Sequence, residues 1–181
     1  DYHARARLFI KNGQIDSALQ DLNGALALDP EGVGYYVTRG MVFSSMDLSA
    51  DAIADYTAAL AINSANQPAL LQRGDEYMKL QQYESAVRDF ITVQIIGANT
   101  PIYDHLVVEG NVPRTLDNID LFISLNPASA FGYYYKARIL IENGEHEAGV
   151  ESLYQAIDLN PAVEAFYTLL AQAGAATTIS E

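Results

Sequence analysis

Few of the side chains that could carry out chemistry stand close together in this chain of 181 residues. It contains no cysteine, which excludes disulfides, thiol nucleophiles and thiolate-bound zinc or iron–sulfur clusters. Of its three histidines, His105 has carboxylates nearby at Asp104 and Glu109, a pattern more typical of an ordinary polar cluster than of a metal site. The motifs of a phosphate-binding loop and of a nucleophile elbow do not occur. We therefore predict no catalytic residues, no cofactor or metal site, and no enzymatic activity.

The charged residues are mostly acidic, and many recur at a fixed spacing. Ten Lys and Arg against 23 Asp and Glu give a net charge of −13, which argues against nucleic-acid binding because that requires clustered cations. Two columns of opposite charge repeat every 34 residues, basic at Arg5, Arg39 and Arg73 and acidic at Asp21, Asp55 and Asp89. They predict a series of Arg–Asp ion pairs between neighbouring helices. The series is expected to end before the last repeat, where Lys136 is aligned with Ser152.

Uncharged columns share this period and indicate paired helices. Small residues stand at Ala6, Gly40 and Gly74, and larger ones at Leu22, Tyr56 and Phe90. Each unit holds two apolar patterns of helical spacing, separated by breaks at Asn12-Gly13, Met46-Asp47, Gly110-Asn111 and Asn143-Gly144. A small residue lets two helices approach closely, and one helix pair cannot bury its own apolar face. The pattern therefore predicts stacked antiparallel helix pairs.

The segment Tyr36-x-x-Arg39-Gly40-x-x-Phe43 has counterparts beginning at Leu70 and Tyr133, and Pro30, Pro127 and Pro161 each close a unit. In these features the chain resembles the tetratricopeptide repeat family. The resemblance implies an all-α fold, a right-handed superhelical solenoid of antiparallel helix pairs with about eleven helices, forming a single domain over 1–181. Repeats are expected at about 1–32, 33–66, 67–100, 96–129 and 130–163, followed by a C-terminal helix at about 162–173. The resemblance also implies protein–protein interaction as the usual activity.

The fourth repeat is shorter than the others, because Ala98 and Pro127 are separated by 29 residues rather than 34. Thr100-Pro101 predicts the start of its first helix at Pro101, with an end near Glu109, and Asn111-Val112-Pro113 predicts the start of its second helix. Tyr103 occupies the column of small residues, so we expect a local change of superhelical angle between residues 96 and 112. Simple decay of the repeat and a functional bend are both open interpretations.

The resemblance places partner binding in a concave groove lined by the first helix of each pair. We expect a protein or peptide partner to contact eight groove residues there: Arg7, Val37, Met41, Leu71, Asp75, Met78, Tyr134 and Arg138. An extended peptide or a helix with spaced apolar anchors would suit this surface, although packing between helices is an alternative role for the same residues. Members that bind acidic chaperone tails have an Arg where this chain has Asp75, so we expect no chaperone-tail binding.

The C-terminal helix suggests a second hypothesis. It is apolar on nearly every side, whereas the ends of stacked-helix proteins normally have a polar outer face, and it is too short to insert into a membrane. The chain also begins inside a repeat. A structural or self-associating spacer domain of a larger protein is therefore the alternative to a binding module, with homo-oligomer contacts at Phe166 and Leu170. The sequence names neither the partner nor the compartment, although a cytoplasmic location is slightly favoured.

Overall fold

The computed structural model describes residues 1–97 and 102–179, with side chains described as far as Gly174. This part of the chain forms eleven α-helices and no strand. By its internal contacts the chain divides into two compact units, unit 1 (residues 1–100) and unit 2 (residues 101–181). The predicted all-α fold is confirmed, whereas the single domain over 1–181 and the right-handed superhelix stay predictions.

Unit 1 consists of three antiparallel helix pairs. Their bounds are α1 Tyr2–Lys11 and α2 Ile15–Leu28, α3 Val33–Ser45 and α4 Ser49–Ile62, and α5 Gln67–Lys79 and α6 Tyr83–Ile96. Within each pair the helices pack against one another, and α2 and α4 each pack on the first helix of the next pair. Helices α3 and α5 are also in contact, so first helices adjoin along one side of the unit.

The turn inside each pair of unit 1 uses one residue in the left-handed backbone region. Gly13 has φ 73°, and the corresponding residues Asp47 and Gln81 have φ 58° and 59°. Glycine adopts this conformation freely, whereas a residue with a Cβ atom pays on the order of 1 kcal/mol. The sequence indicated the first two breaks but not the one at Gln81, because glutamine is not a typical turn residue.

Helix pairs in unit 1 cross where a small residue of the first helix meets a large residue sixteen positions later. A Cβ atom added at Gly40 would lie 2.6 Å from Cε1 of Tyr56, and one at Gly74 would overlap the Phe90 ring. Both aromatic rings are fully buried. Where the first helix instead has Ala6, the core cluster contains the smaller Leu22. Side-chain volume is therefore compensated across the crossing, as the two columns in the sequence predicted.

Unit 2 contains five helices: α7 Tyr103–Leu106, α8 Val112–Leu125, α9 Ala130–Glu142, α10 His146–Leu159 and α11 Glu164–Ile179. Helix α9 packs against α8 and α10, while α11 packs against α10 and α9. Side-chain volumes at the helix crossing are compensated here too, because the small Ala137 of α9 and the larger Leu153 of α10 belong to one core cluster. Helix α11 extends beyond the predicted end at about 173.

Helix α7 is shorter than predicted. The expected helix ran from Pro101 to near Glu109, but the structure has a single turn over Tyr103–Leu106. The predicted start at Thr100-Pro101 lies outside the described residues, and so does part of the segment in which a changed superhelical angle was expected. The predicted start of α8 is confirmed, since Asn111 caps that helix by accepting a hydrogen bond from the Arg114 N–H at 3.1 Å.

Polar side chains of α8 explain how α7 can end so early. Thr115 Oγ1 accepts a hydrogen bond from the Val108 N–H at 2.9 Å, and Asn118 Nδ2 donates to the Leu106 carbonyl at 3.0 Å. Both polar side chains are almost completely buried. Buried backbone groups must be paired, and here α8 supplies the partners that a longer helix would have supplied itself.

The predicted Arg–Asp pairs are present in unit 1. Each Arg donates two hydrogen bonds to its Asp, with shortest distances of 2.6 Å in Arg5–Asp21, 2.7 Å in Arg39–Asp55 and 2.7 Å in Arg73–Asp89. All three aspartates are buried. In unit 2, Lys136 Nζ donates to Asp120 Oδ1 at 2.7 Å, across to the preceding pair and not toward Ser152.

Loss of one of these cations should be far more costly than loss of an exposed one. Arg73→Met leaves the Asp89 carboxylate buried without a cation, so we expect the free energy of unfolding to fall by about 3 kcal/mol. The matched control is Arg88→Met, because Arg88 pairs with Glu84 while both side chains are more than half exposed. That change should cost less than about 1 kcal/mol. Chemical denaturation measures both, and equal losses would contradict the structural role given to the buried pairs.

Candidate partner-binding site

Unit 1 contains an open cavity of about 640 Å³, hereafter the α1–α3 cavity. Helices α1 and α3 and the start of α5 form it, and most of its lining is apolar. The lining residues are His3, Arg7, Ile10, Gly34, Val37, Thr38, Met41, Val42, Ser45, Asn66 and Pro68. Three of the predicted groove residues, Arg7, Val37 and Met41, are therefore brought together. Half of the surface of Met41 is exposed.

Helical spacing places these side chains on common faces. His3, Arg7 and Ile10 follow one another at four and three residues along α1, and Val37 and Met41 are one turn apart on α3. At the end of the cavity, Asn66 caps α5 by accepting a hydrogen bond from the Ala69 N–H at 2.9 Å. The cap fixes the start of α5, so the third wall of the cavity is set by a local interaction.

His3 connects α1 to α3 at the wall of the cavity. Its Nε2 lies 2.9 Å from Thr38 Oγ1, and the Thr38 hydroxyl donates to the Gly34 carbonyl at 2.7 Å. Because the hydroxyl has one hydrogen and donates it to Gly34, His3 Nε2 must be the donor to Thr38. Burial lowers the pKa of His3, and the positive charge of Arg7 lowers it further. His3 is therefore a neutral donor at pH 7.

A buried carboxylate holds α5 against α3. Glu76 Oε1 accepts hydrogen bonds from Ser44 Oγ at 2.5 Å and from Lys79 Nζ at 2.6 Å. Burial raises the pKa of Glu76, but these donors outweigh it, so the pKa lies below its ordinary value. The ionised carboxylate of α5 is therefore bonded to Ser44 of α3. This contact fixes the position of α5 relative to α3, and both helices contribute to the cavity lining.

The remaining predicted groove residues do not line the α1–α3 cavity. Leu71, Asp75 and Met78 are half-buried on α5. Tyr134 and Arg138 belong to unit 2, where they line a second cavity of about 480 Å³ between α9 and α11. The expectation of one groove shared by all eight residues stays a prediction.

The charge of Arg138 is already engaged within unit 2. Its Nε donates to Glu142 Oε1 at 2.9 Å, and its guanidinium lies 4.0 Å from the centroid of the Tyr103 ring. The Tyr103 hydroxyl completes the cluster by donating to Glu142 Oε2 at 3.1 Å. Arg138 is therefore a weaker candidate for binding an anionic partner than its position in the sequence suggested.

The self-association residues occupy different surroundings from those expected. Phe166 is fully buried in the core of unit 2, where it packs against the rings of Phe131 and Tyr134. Leu170 is half-buried against the same core. Phe166 thus has no surface to offer another molecule, because the apolar pattern of α11 that suggested an exposed face contributes to folding. Homo-oligomerisation stays a prediction, but Phe166 is no longer among the residues expected to mediate it.

The lining residues that the eight predicted groove residues did not include are His3, Ile10, Gly34, Thr38, Val42, Ser45, Asn66 and Pro68. Asn66 and Pro68 carried a usable signal, because Asn before a Pro near the start of a helical pattern is typical of a helix start. Gly34 and Val42 carried none, since they fall outside the helix face that the family resemblance assigns to the groove. Among the described residues no group of three or more His, Asp or Glu is arranged to hold a metal ion, and no helix is long and apolar enough to cross a bilayer.

The state of His3 can be tested by titration. We expect His3 to titrate below the ordinary value of about 6.5, and its pKa to rise in Arg7→Gln because a nearby positive charge is removed. Lys11→Gln, four residues further along α1, is the matched control and should change the pKa less. In the wild-type protein the unfolded chain binds the His3 proton more readily than the folded chain does. The stability of the wild-type protein should therefore fall as the pH drops below about 6.5. NMR titration of the imidazole measures the pKa, and an unchanged value in Arg7→Gln would contradict the placement of Arg7 beside His3.

Comparisons with known proteins agree with the helix pairs. The tetratricopeptide repeat family model matches residues 2–31 and 132–163. DnaJ homolog subfamily C member 7 of Homo sapiens is 36% identical over 84 residues, which are 44% of this chain and 17% of that protein. The TPR repeat-containing thioredoxin TDX of Arabidopsis thaliana is 33% identical over 86 residues, 48% of this chain and 23% of that protein. The chain thus spans less than a quarter of the length of these curated relatives.

Solved structures show the same fold. YrrB, described as a TPR protein with an unusual peptide-binding site, aligns with a TM-score of 0.56 and 21% identity over 96% of this chain and 90% of its own. A tetratricopeptide repeat protein from Parabacteroides merdae aligns with a TM-score of 0.59 and 19% identity over 95% and 82% of the two chains. The first TPR of Spaghetti (RPAP3), bound to an HSP90 peptide, aligns with a TM-score of 0.54 and 21% identity over 68% and 90%. The family-model matches identify tetratricopeptide repeats in two segments of the chain, and with the paired helices described above these likenesses show a tetratricopeptide-repeat fold.

Proposed function

We propose that unit 1 binds a segment of a partner protein, with an apolar side chain of that segment seated in the α1–α3 cavity. The observation that carries this proposal is an open, mostly apolar cavity whose wall includes the half-exposed Met41. Tetratricopeptide repeats serve as scaffolds for protein–protein interaction, and the protein is proposed to act in this way and not as an enzyme.

The dimensions and chemistry of the cavity support a peptide ligand. Its volume of about 640 Å³ falls within the roughly 300–1,000 Å³ that is usual for ligand clefts, and would hold more than one side chain. Met41 is unbranched and adaptable, so it can pack against apolar groups of varied shape. Arg7 places hydrogen-bond donors among the apolar lining, where they can orient a peptide backbone, whereas the hydroxyl hydrogens of Thr38 and Ser45 are used within the protein.

Two of the structural relatives are described as peptide-binding proteins. YrrB is described as having a peptide-binding site, and the Spaghetti domain was solved with the HSP90 peptide SRMEEVD. These descriptions support a peptide ligand here by analogy of fold. The chaperone tail itself is not proposed as the ligand, because Asp75 stands where the chaperone-binding members carry an Arg.

The proposal predicts that a charge at Met41 abolishes peptide binding. Peptides selected from a displayed random library against the wild-type protein should bind Met41→Glu at least about tenfold more weakly, because the carboxylate would enter an apolar cavity. The matched control is Met46→Glu. Met46 has a similar exposed fraction, 42% against 50%, but follows the end of α3 and does not line the cavity.

Fluorescence polarisation with the selected peptides measures both affinities, and circular dichroism checks that each variant is folded. Met46→Glu should bind like the wild type. If the two variants bind equally well, the cavity is not the site and the proposed function is wrong.

A further inference from the structure

Almost all the cations of this protein form ion pairs with carboxylates. Among the described residues, which include all ten Lys and Arg, eight form ion pairs: Arg5, Arg39, Arg73, Lys79, Arg88, Arg114, Lys136 and Arg138. Arg7 and Lys11 form none, although acids outnumber cations by more than two to one. Both side chains are exposed. Such an excess of acids makes two neighbouring unpaired cations a feature that needs a reason.

These two cations lie beside the α1–α3 cavity. Arg7 is part of its lining, and Lys11 follows one turn later on α1, about 6 Å further along the helix axis. His3, the third titratable group of this helix face, is neutral and already donates to Thr38. Among the described residues that line or adjoin this edge of the cavity, Arg7 and Lys11 therefore carry the positive charge.

We propose that the partner segment is acidic, with one or two Asp or Glu side chains held by Arg7 and Lys11 next to the apolar side chain in the cavity. This inference rests on the proposed function and specifies its ligand. Arg7 itself lines the cavity, so the first carboxylate must lie close to the apolar anchor. An extended peptide advances about 3.3 Å per residue, which places this carboxylate within two or three residues of the anchor. The ligand group is a side-chain carboxylate within the segment, which requires no free chain end.

Local charges can favour an acidic ligand even though the whole protein is negative. At physiological salt, exposed charges are screened beyond about 8 Å, so the groups closest to the peptide decide the preference. Arg can bind a carboxylate through two parallel hydrogen bonds, and Lys adds a second point charge one turn away. The overall negative charge should instead slow the approach of an acidic partner, without setting which segment binds.

The test uses three synthetic peptides acetylated at the N-terminus and amidated at the C-terminus. Each has a central Leu in a Ser/Gly background, with Glu, Gln or Lys two residues to either side. Blocked ends exclude binding through a terminal carboxylate. We expect the Glu peptide to bind the wild-type protein at least fivefold more tightly than the Gln peptide, and the Lys peptide to bind most weakly. The doubly substituted Arg7→Gln/Lys11→Gln protein should lose the preference for Glu.

Two further variants make the result specific. Arg7→Glu/Lys11→Glu should prefer the Lys peptide, which a merely structural role for these residues would not produce. Arg88→Gln, which removes an exposed cation of α6 already paired with Glu84, should keep the wild-type order.

The outcomes separate this inference from the proposed function. If the Glu and Gln peptides bind equally and Met41→Glu abolishes both, the cavity is a binding site but the inference of an acidic ligand is overturned. If binding of all three peptides is unaffected by Met41→Glu, or if none binds, the proposed function fails and the inference fails with it.

Discussion

The close crossing of the two helices in each pair is the constraint on which the rest of the structure depends. In unit 1 the helices approach until the rings of Tyr56 and Phe90 occupy the space that a Cβ atom would need at Gly40 and Gly74. Protein interiors are packed as densely as organic crystals, so an added methyl group at such a contact forces the helices apart. Where alanine replaces glycine, leucine replaces the aromatic ring. The sum of the two volumes, and not either residue alone, sets the crossing.

Polar interactions then fix what the crossing leaves free. The buried aspartates of unit 1 each require their Arg, which determines how the two helices of a pair are placed along one another. The ionised Glu76 joins α5 to α3, and neutral His3 joins α1 to α3. These contacts between first helices hold the walls of the α1–α3 cavity in place. The cavity is thus a consequence of how the pairs stack, and its rim carries Arg7 and Lys11, which form no ion pair among the described residues.

The regular parts of the fold could be predicted from the sequence because they depend on residues repeated at a fixed spacing. The Arg–Asp pairs and the columns of small and large residues belong to this class. Helix α7 does not, because its early end depends on Thr115 and Asn118 of the next helix, and no spacing in the sequence indicates such long-range hydrogen bonds. The same limitation applies to Phe166, since an apolar pattern on a terminal helix cannot distinguish an exposed face from one packed against its own unit.

The candidate site was predictable to a similar degree. Arg7, Val37 and Met41 were identified from the resemblance to the tetratricopeptide repeat family, and they do lie together. The contacts of Arg138 and Glu142 with Tyr103 were not predictable, because the register of the shortened repeat could not be read from its spacing. The unpaired state of Arg7 and Lys11 was also hidden, since it emerges only when every other cation has been assigned a partner in three dimensions.

A double-mutant cycle between Gly40 and Tyr56 tests most directly whether these two side-chain volumes set the helix crossing. The measured quantity is the free energy of unfolding. Gly40→Ala should destabilise the wild-type protein by about 1–2 kcal/mol, since the added Cβ meets the Tyr56 ring. In a Tyr56→Leu background the same change should cost at least about 0.5 kcal/mol less, because alanine and leucine then share the space as Ala6 and Leu22 do. Gly24→Ala is the control, since its nearest neighbour would lie at an ordinary 3.6 Å and helix propensity alone should stabilise it by about 0.5–1 kcal/mol. If Gly40→Ala behaves like Gly24→Ala, or costs the same with Leu as with Tyr at position 56, the crossing is not set by these two volumes and the account is wrong.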